Sequence, residues 1–157
     1  KKALKEFYGV KRRFDIKFEN KDHIYIDDYA HHPTEIEVTL NAIKSGWKNR
    51  KVTTIFQPHL YSRTKEFYKD FASALFNSDK VILMEIYGAR EKPIKNVSSK
   101  LILDELIHLG HQNCHIVKDS DIINNIKNSI EENQIIITMG AGNIWTQGEN
   151  IIKYLSQ

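Results

Sequence analysis

Along this chain, short apolar runs end in polar loops, and amphipathic stretches follow, about five times in succession. Residues 14–18 (F-D-I-K-F) alternate apolar and polar positions, the period of a half-buried strand. The turn residues at 19–22 predict a hairpin between that strand and the apolar run at 24–28. Pro33 suits the first position of a helix, because its fixed φ and missing N–H cost nothing there. Ile36, Leu40 and Ile43 then share one helical face, with Gly46 as the stop. Residues 52–56 form a β-branched strand, and Ser62 is the expected cap of a helix whose apolar face carries Phe67, Phe71, Ala74 and Leu75. Residues 80–86 are nearly all apolar, which predicts a central strand covered on both faces. A helix over about 99–109 ends at Gly110. A short strand at 115–117, a helix capped by Asp119 or Ser120 and running to 130, a strand at 134–138, and a last helical stretch to 155 complete the pattern. Before all of these, Leu4, Phe7, Tyr8 and Val10 predict the end of a helix stopped by Gly9.

Strands that alternate with helices, without internal repeat or low-complexity linker, predict an α/β fold. We expect a three-layer Rossmann-like domain: a mainly parallel sheet of about six strands, one antiparallel edge strand, and helices on both faces. A length of 157 residues suits one domain with a full core. The net charge of +3 is too small to indicate a nucleic-acid partner, and the crowding of Lys1, Lys2, Lys5, Lys11, Arg12, Arg13 and Lys17 reads as a solvated basic segment. The single cysteine, Cys114, excludes an internal disulfide and fits a reducing cytosol. No apolar run reaches transmembrane length and no signal peptide is read at the start, so neither a membrane nor an export route is expected. The opening Lys-Lys without Met leads us to expect a piece of a longer protein.

Candidate chemistry gathers at strand ends, where ligands of open α/β sheets collect. Asp27, Asp28, His31 and His32 fall within six residues at the end of the second strand. They fit divalent-metal ligation, hydrogen bonds to a ribose or base, or acid–base catalysis. They equally fit aspartates that cap a helix beside two surface histidines. His59, Ser62 and Arg63 follow the third strand, and an arginine just inside a helix start offers a planar fork for a carboxylate or phosphate. The plainer reading is a surface arginine beside a capping serine. Arg90 and Glu91 in the next loop carry the same pair of readings. Gly140-Ala141-Gly142 permits close approach of a ligand or simply a tight reversal. His108, His111, Cys114 and His115 have the composition of a zinc set, but a helix end and the alternation of a strand separate them, so no metal is expected there. No G-x-x-x-x-G-K-[ST] loop is present, so the cradle for any nucleotide triphosphate must lie elsewhere.

Five strings, in order, carry a resemblance: G-V-K-R-R-F at 9–14, D-D-Y-A-H-H-P-T-E at 27–35, F-Q-P-H-x-Y-S-R-T at 56–64, A-R-E-K-P-I at 89–94 and G-A-G at 140–142. Together they span nearly the whole chain, which resembles the C-terminal domain of the Mur ligases, the ATP-dependent enzymes that build the peptidoglycan stem peptide. Within the family the Q-P-H-x-Y-S-R-T loop favours the member type that joins L-alanine to UDP-N-acetylmuramate over the one that reattaches recycled tripeptide.

The resemblance implies a three-domain enzyme in which residues 1–13 are the hinge from a central ATPase domain and 14–157 the closing domain. Its cofactors would be ATP and Mg2+, the metal held mainly by the central domain, and its partners ATP, L-alanine and UDP-N-acetylmuramate. It further implies Arg13, Asp28 and His31 at the ATP, with Asp28 on the ribose and Arg13 reaching the phosphates. Tyr29, His59, Arg63 and Arg90 would face the amino acid and the muramyl carboxylate, with His32, His59 and Arg63 taking part in the chemistry. The chain alone would be catalytically silent, and its setting the bacterial cytoplasm. Two positions depart from the family's pattern: Leu60 stands where many members have a basic residue, and Asn143 where many have Asp after G-A-G. Against this stand two other readings from the residues, a free-standing metal phosphoesterase built on Asp27, Asp28, His31 and His32, and a non-catalytic nucleotide-sensing module.

Overall fold

The computed structural model describes residues 11–128 and 130–157. The helix end expected around Leu4 to Gly9 lies outside them. Six strands form one sheet: β1 (Asp15–Glu19), β2 (His23–Asp28), β3 (Lys51–Phe56), β4 (Lys80–Leu83), β5 (Cys114–Ile116) and β6 (Gln134–Met139). Their spatial order is β1-β2-β6-β3-β4-β5, antiparallel between β1 and β2 and parallel elsewhere. The helices are α1 (Pro33–Gly46), α2 (Tyr61–Leu75), α3 (Lys100–His108), α4 (Ile122–Lys127) and α5 (Gly148–Leu155).

Side chains alternate across the sheet, so one strand feeds two cores. Ile24, Ile26, Ile135 and Ile137 pack with Ile36, Leu40 and Ile43 of α1, Phe71 and Leu75 of α2, and Ile102 and Leu106 of α3. Tyr25, Ile55, Ile82 and Ile136 face the other way, against Ile122 and Ile126 of α4 and Ile151 and Leu155 of α5. The expected three layers and the antiparallel edge are therefore present.

Several boundaries differ from the sequence reading. The strand expected over 80–86 stops at Leu83 and lies next to the edge, while the fully buried β6 takes the centre. Beyond it Met84 still donates to the Phe56 carbonyl at 2.9 Å, but its own carbonyl accepts from the Ser99 hydroxyl at 2.5 Å, and the chain leaves the sheet. The helix expected to reach residue 130 begins as a 3-10 turn (Asp119–Asp121) and ends at Lys127. Leu60, not Ser62, occupies the cap position of α2. Among the described residues no helix is long and apolar enough to cross a membrane.

The topology places the site. β2 and β3 are consecutive along the chain, yet β6 is inserted between them. The sheet therefore changes winding direction at the carboxyl ends of β2, β6 and β3, where such sheets open a crevice for ligands. Residues 29–32, 140–143 and 57–63 all emerge there.

Candidate functional site

The two aspartates at the end of β2 are occupied. Asp28 is 4% exposed; its Oδ1 accepts from the Ala30 N–H at 2.7 Å, and its Oδ2 from the Phe14 N–H at 3.0 Å and the Thr39 hydroxyl at 3.3 Å. Asp27, 3% exposed, pairs with Arg12 Nε at 3.1 Å and accepts from the Thr138 hydroxyl at 3.0 Å. Both carboxylates thus fold the turn, and one lone pair of Asp28 Oδ1 is left over.

The turn then presents the histidines. His32 takes the cap position of α1, and Glu35 reaches back to accept from the N–H groups of His31 and His32 at 3.0 and 3.2 Å. This is a capping box with histidine in the usual Ser/Thr place, and its signal was the glutamate three residues after His32. Burial pushes the Glu35 carboxyl up, but the His31 N–H, the His31 ring and Arg13 outweigh it and hold the group below its ordinary range. His31 Nδ1 lies 2.9 Å from the Tyr29 carbonyl, which can only accept, so Nδ1 carries the proton and Nε2 is left as the open nitrogen. The His32 ring packs on Phe67 of α2 at 5.3 Å.

Rings carry the site onward from β2 to β3 and to the loop after β4. The Arg12 and Arg13 guanidinium carbons stand 5.1 and 5.3 Å from the centre of the Tyr29 ring. Tyr29 meets His31 edge-on at 5.2 Å, and the His31 and His59 ring centres are 6.1 Å apart. His59 in turn stacks on Tyr87 at 5.8 Å and 18°. A parallel bridge locks this last pair, with Leu60 donating to the Tyr87 carbonyl at 3.0 Å and Tyr87 to the Pro58 carbonyl at 2.8 Å. Tyr87 was not singled out in the sequence, which gives no sign that it pairs with the Q-P-H loop.

At the end of this row two buried polar atoms, His59 Nδ1 and Arg63 Nη1, have no hydrogen-bond partner. Burial lowers the proton affinity of His59, and the nearby charges of Arg63 and His31 lower it further, so the imidazole is kept neutral. Arg63 sits in the first turn of α2, at the positive end of the helix dipole, where Glu91 accepts from the Ser62 N–H. A neutral ring beside a guanidinium with an unsatisfied N–H has the chemistry to receive a small anion such as a carboxylate.

Leu60, between them, holds φ at 73°, a left-handed conformation that a leucine keeps only where its neighbours impose it. Its N–H is taken by Tyr87, and its carbonyl accepts from the Thr64 N–H at 3.1 Å and the Thr64 hydroxyl at 2.9 Å. Arg90 is exposed and, among the described residues, makes no hydrogen bond or ion pair. Its neighbour Glu91 is clasped to Ser62.

The G-A-G turn serves packing. A Cβ on Gly140, whose φ is 148°, would stand 2.8 Å from the Gln57 carbonyl oxygen, and one on Gly142 2.7 Å from Tyr87 Cγ. Gln57 ties the turn down by donating to Asn143 Oδ1 at 2.8 Å and accepting from the Ile144 N–H at 3.1 Å. The zinc-like set is likewise spent locally: His111 Nε2 donates to the Ser78 carbonyl at 2.9 Å, Cys114 to the His111 carbonyl at 3.3 Å, and His115 Nε2 lies 3.0 Å from Asn125 Oδ1. Among the described residues no group of three or more His, Cys, Asp or Glu side chains is placed to hold a metal ion.

Two clefts flank the row. One of about 400 Å³ lies between α1 and α2 and includes His32 and Phe67. Another of about 660 Å³ includes Arg12, Tyr25, Asp27 and Trp145. Neither includes His59 or Arg63.

Residues 12–142 match the family model for the glutamate ligase domain of Mur ligases. The UDP-N-acetylmuramate–L-alanine ligase of Christiangramia forsetii is 45% identical over 155 residues, covering 98% of this chain and 33% of that protein. The enzyme of the same name from Syntrophotalea carbinolica is 39% identical, covering 99% of this chain and 34% of its own. Among solved structures, UDP-N-acetylmuramate-alanine ligase from Thermotoga maritima superposes with a TM-score of 0.80 at 33% identity, over 99% of this chain and 32% of that one. A murein peptide ligase from Psychrobacter arcticus shares the fold, with a TM-score of 0.78 at 22% identity. The chain spans about one third of the length of the curated relatives it matches.

Proposed function

The chain belongs to the Mur ligase family, and on that premise we propose that it is the C-terminal, closing domain of an ATP-dependent ligase joining L-alanine to UDP-N-acetylmuramate. In this reading ATP, with Mg2+ held mainly by the part of the enzyme outside this chain, activates the muramyl carboxylate as an acyl phosphate. The residues here then bind and aim the amine that attacks it. The unpartnered Arg63 Nη1 beside the neutral His59 carries the proposal: Arg63 takes the carboxylate of alanine, and His59 holds the substrate's polar edge without adding a second positive charge.

The other roles follow along the row. Tyr29 and His32 border the amino acid and the muramyl group, and Arg90, exposed on its loop, is free to reach the muramyl side on closure. His31 offers Nε2 to the nucleotide. Arg13, exposed and joined to Glu35 by a loose 3.3 Å contact, exchanges that partner for ATP phosphate at little cost. Asp28 meets the ribose through its remaining lone pair. Residues 1–13 act as the hinge and 14–157 as the closing unit, which by itself lacks catalysis because closure is what completes the site.

The recycling ligase has less support, since relatives at 39–45% identity carry the alanine-ligase name. The phosphoesterase reading has less still: Asp27 is paired with Arg12, Asp28 keeps a single free lone pair, and among the described residues no three His, Cys, Asp or Glu side chains are placed to hold a metal ion. In the full-length enzyme Arg63→Ala should raise the KM for alanine far more than that for ATP, and Asp28→Ala should do the reverse. Kinetics near wild type in both variants would overturn these roles.

A further inference from the structure

Adjacent arginines at the start of the described chain are held very differently. Arg13 is exposed. Arg12 is pinned: Nε donates to Asp27 Oδ2 at 3.1 Å, Nη2 to the Gly140 carbonyl at 2.7 Å, and the guanidinium lies over the Tyr29 ring. Its backbone is pinned too, the N–H donating to Asp15 Oδ2 at 3.1 Å and the carbonyl accepting from the Tyr29 N–H at 2.7 Å. Two residues on, the Phe14 N–H is bound to Asp28, and its ring stacks on Trp47 at 6.2 Å.

This anchoring holds a strained backbone. Arg12 and Phe14 have φ of 60° and 48°, left-handed values that side-chain-bearing residues keep only when neighbouring contacts enforce them. Asp27 is itself steadied from behind. The buried Tyr25 hydroxyl lies 2.9 Å from Thr138 Oγ1, and Thr138 spends its own proton on Asp27 Oδ1, so Tyr25 is the donor to Thr138. That relay leaves Asp27 Oδ2 facing Arg12. A guanidinium fork spanning a carboxylate on β2 and a carbonyl just past β6 is a geometric fastening, and a single ammonium cannot reproduce it.

We propose that Arg12 is a positioning residue: with Asp27 and the Gly140 carbonyl it latches the segment leading into the domain across the ends of β2 and β6, and so sets the resting orientation of this domain against the rest of the ligase. The inference rests on the ligase reading for the existence of that remainder. Without the fork the strained Arg12 and Phe14 backbones keep only their own bonds to Asp15, Tyr29 and Asp28, and the segment is no longer tied across the two strand ends.

The test uses the full-length enzyme without substrates, with paired spin labels, one on this domain and one on the remainder. Wild type should give a narrow distance distribution. Arg12→Met and Asp27→Asn should each broaden it by about twofold, and Arg12→Lys should fall between. The double variant should be no broader than Arg12→Met alone, because that change already removes the contact with Asp27. Asp27→Asn preserves shape, so it keeps the test open should Arg12→Met fold poorly, which thermal unfolding reports. An unchanged distribution in both single variants overturns the proposal. So does a rise in the ATP KM for Arg12→Met with the distribution unchanged, which would assign Arg12 to the nucleotide. Absence of alanine ligation by wild type would instead sink the functional reading, and the substrate-free distances remain separately readable.

Discussion

Glu91 caps the helix that carries Arg63 by accepting twice from Ser62, from its N–H at 3.0 Å and its hydroxyl at 2.5 Å. Leu60, in the cap position, has no side-chain acceptor, so a carboxylate from the loop after β4 satisfies the free N–H group and complements the helix dipole. The A-R-E-K-P-I string is thereby joined to the Q-P-H-x-Y-S-R-T string through Glu91, while Arg90 stays outside.

That clasp sets the aim of Arg63. Glu91→Ala should raise the alanine KM of the full-length enzyme by up to about tenfold with the ATP KM nearly unchanged, because a small displacement of a binding group is costly. Glu91→Gln should recover part of the loss, since an amide oxygen still accepts one bond. The Ser62 hydroxyl and N–H hold the Glu91 carboxyl below its ordinary value of 4.5, so the clasp's stabilisation is complete above 4.5 and disappears as pH falls through the lowered value. The urea midpoint of the chain should drop over that range, and less so in Glu91→Gln. Equal pH profiles would refute the assignment.

His59 should titrate below its ordinary value of 6.5, since burial, then Arg63 and His31, disfavour its proton. Between the folded and unfolded values the unfolded chain binds more protons, so stability is full above 6.5 and is lost as pH falls through the folded value. Imidazole resonances followed by NMR measure this directly. Arg63→Ala should move the midpoint up without restoring 6.5, because burial, the larger cause, remains. A wild-type midpoint at or above 6.5 is the opposing result.

Asp28 accepts from three donors, and an amide cannot replace it, because in either orientation its NH2 group would face a backbone N–H, of Ala30 or of Phe14. Asp28→Asn should therefore cost about 1–3 kcal/mol. That loss corresponds to a Tm lower by roughly 2–4 °C per kcal/mol for a chain of this size. Thr39→Val, which removes one of the three contacts at 3.3 Å, should cost about 1 kcal/mol or less. Equal losses from the two variants would mean that the Phe14 and Ala30 contacts contribute nothing.

What could be read from the sequence follows from range. Ile36, Leu40 and Ile43 announce α1 because helical period is local, and polar loops after apolar runs mark where an α/β sheet gathers its ligands. The jobs of Asp27 and Asp28 could not be told apart, because their partners Arg12, Phe14 and Thr138 lie 14 or more residues away, Thr138 at a separation of 111. Ser62 looked like a cap because Ser is a good one; its hydroxyl was instead claimed by Glu91, 29 residues on. Nor does any local pattern show that Leu60 takes a left-handed φ, since the bridge between His59 and Tyr87 imposes it. The expected meeting of strand ends occurs, and the loops' internal wiring is tertiary.

The glycines of the G-A-G turn separate packing from flexibility. A methyl on Gly142 would collide with Gln57 Oε1 and stand 2.7 and 2.8 Å from Tyr87 Cγ and Cβ, so Tyr87 must shift from its stack on His59. Gly142→Ala should thus cost about 1–3 kcal/mol as an overpacked site. It should also weaken alanine use in the full-length enzyme, since His59 loses the ring that orients it. Gly46, the last residue of α1, has nothing within 4 Å of the place a methyl would take, and its φ is ordinary. Gly46→Ala should therefore stabilise the chain by about 0.5–1 kcal/mol through lost freedom in the unfolded state. Urea midpoints of the two variants measured side by side decide the matter: if Gly142→Ala proves as stable as Gly46→Ala, the turn is not clamped between Gln57 and Tyr87, and the close approach of β6 to the His59 loop plays no part in holding the site.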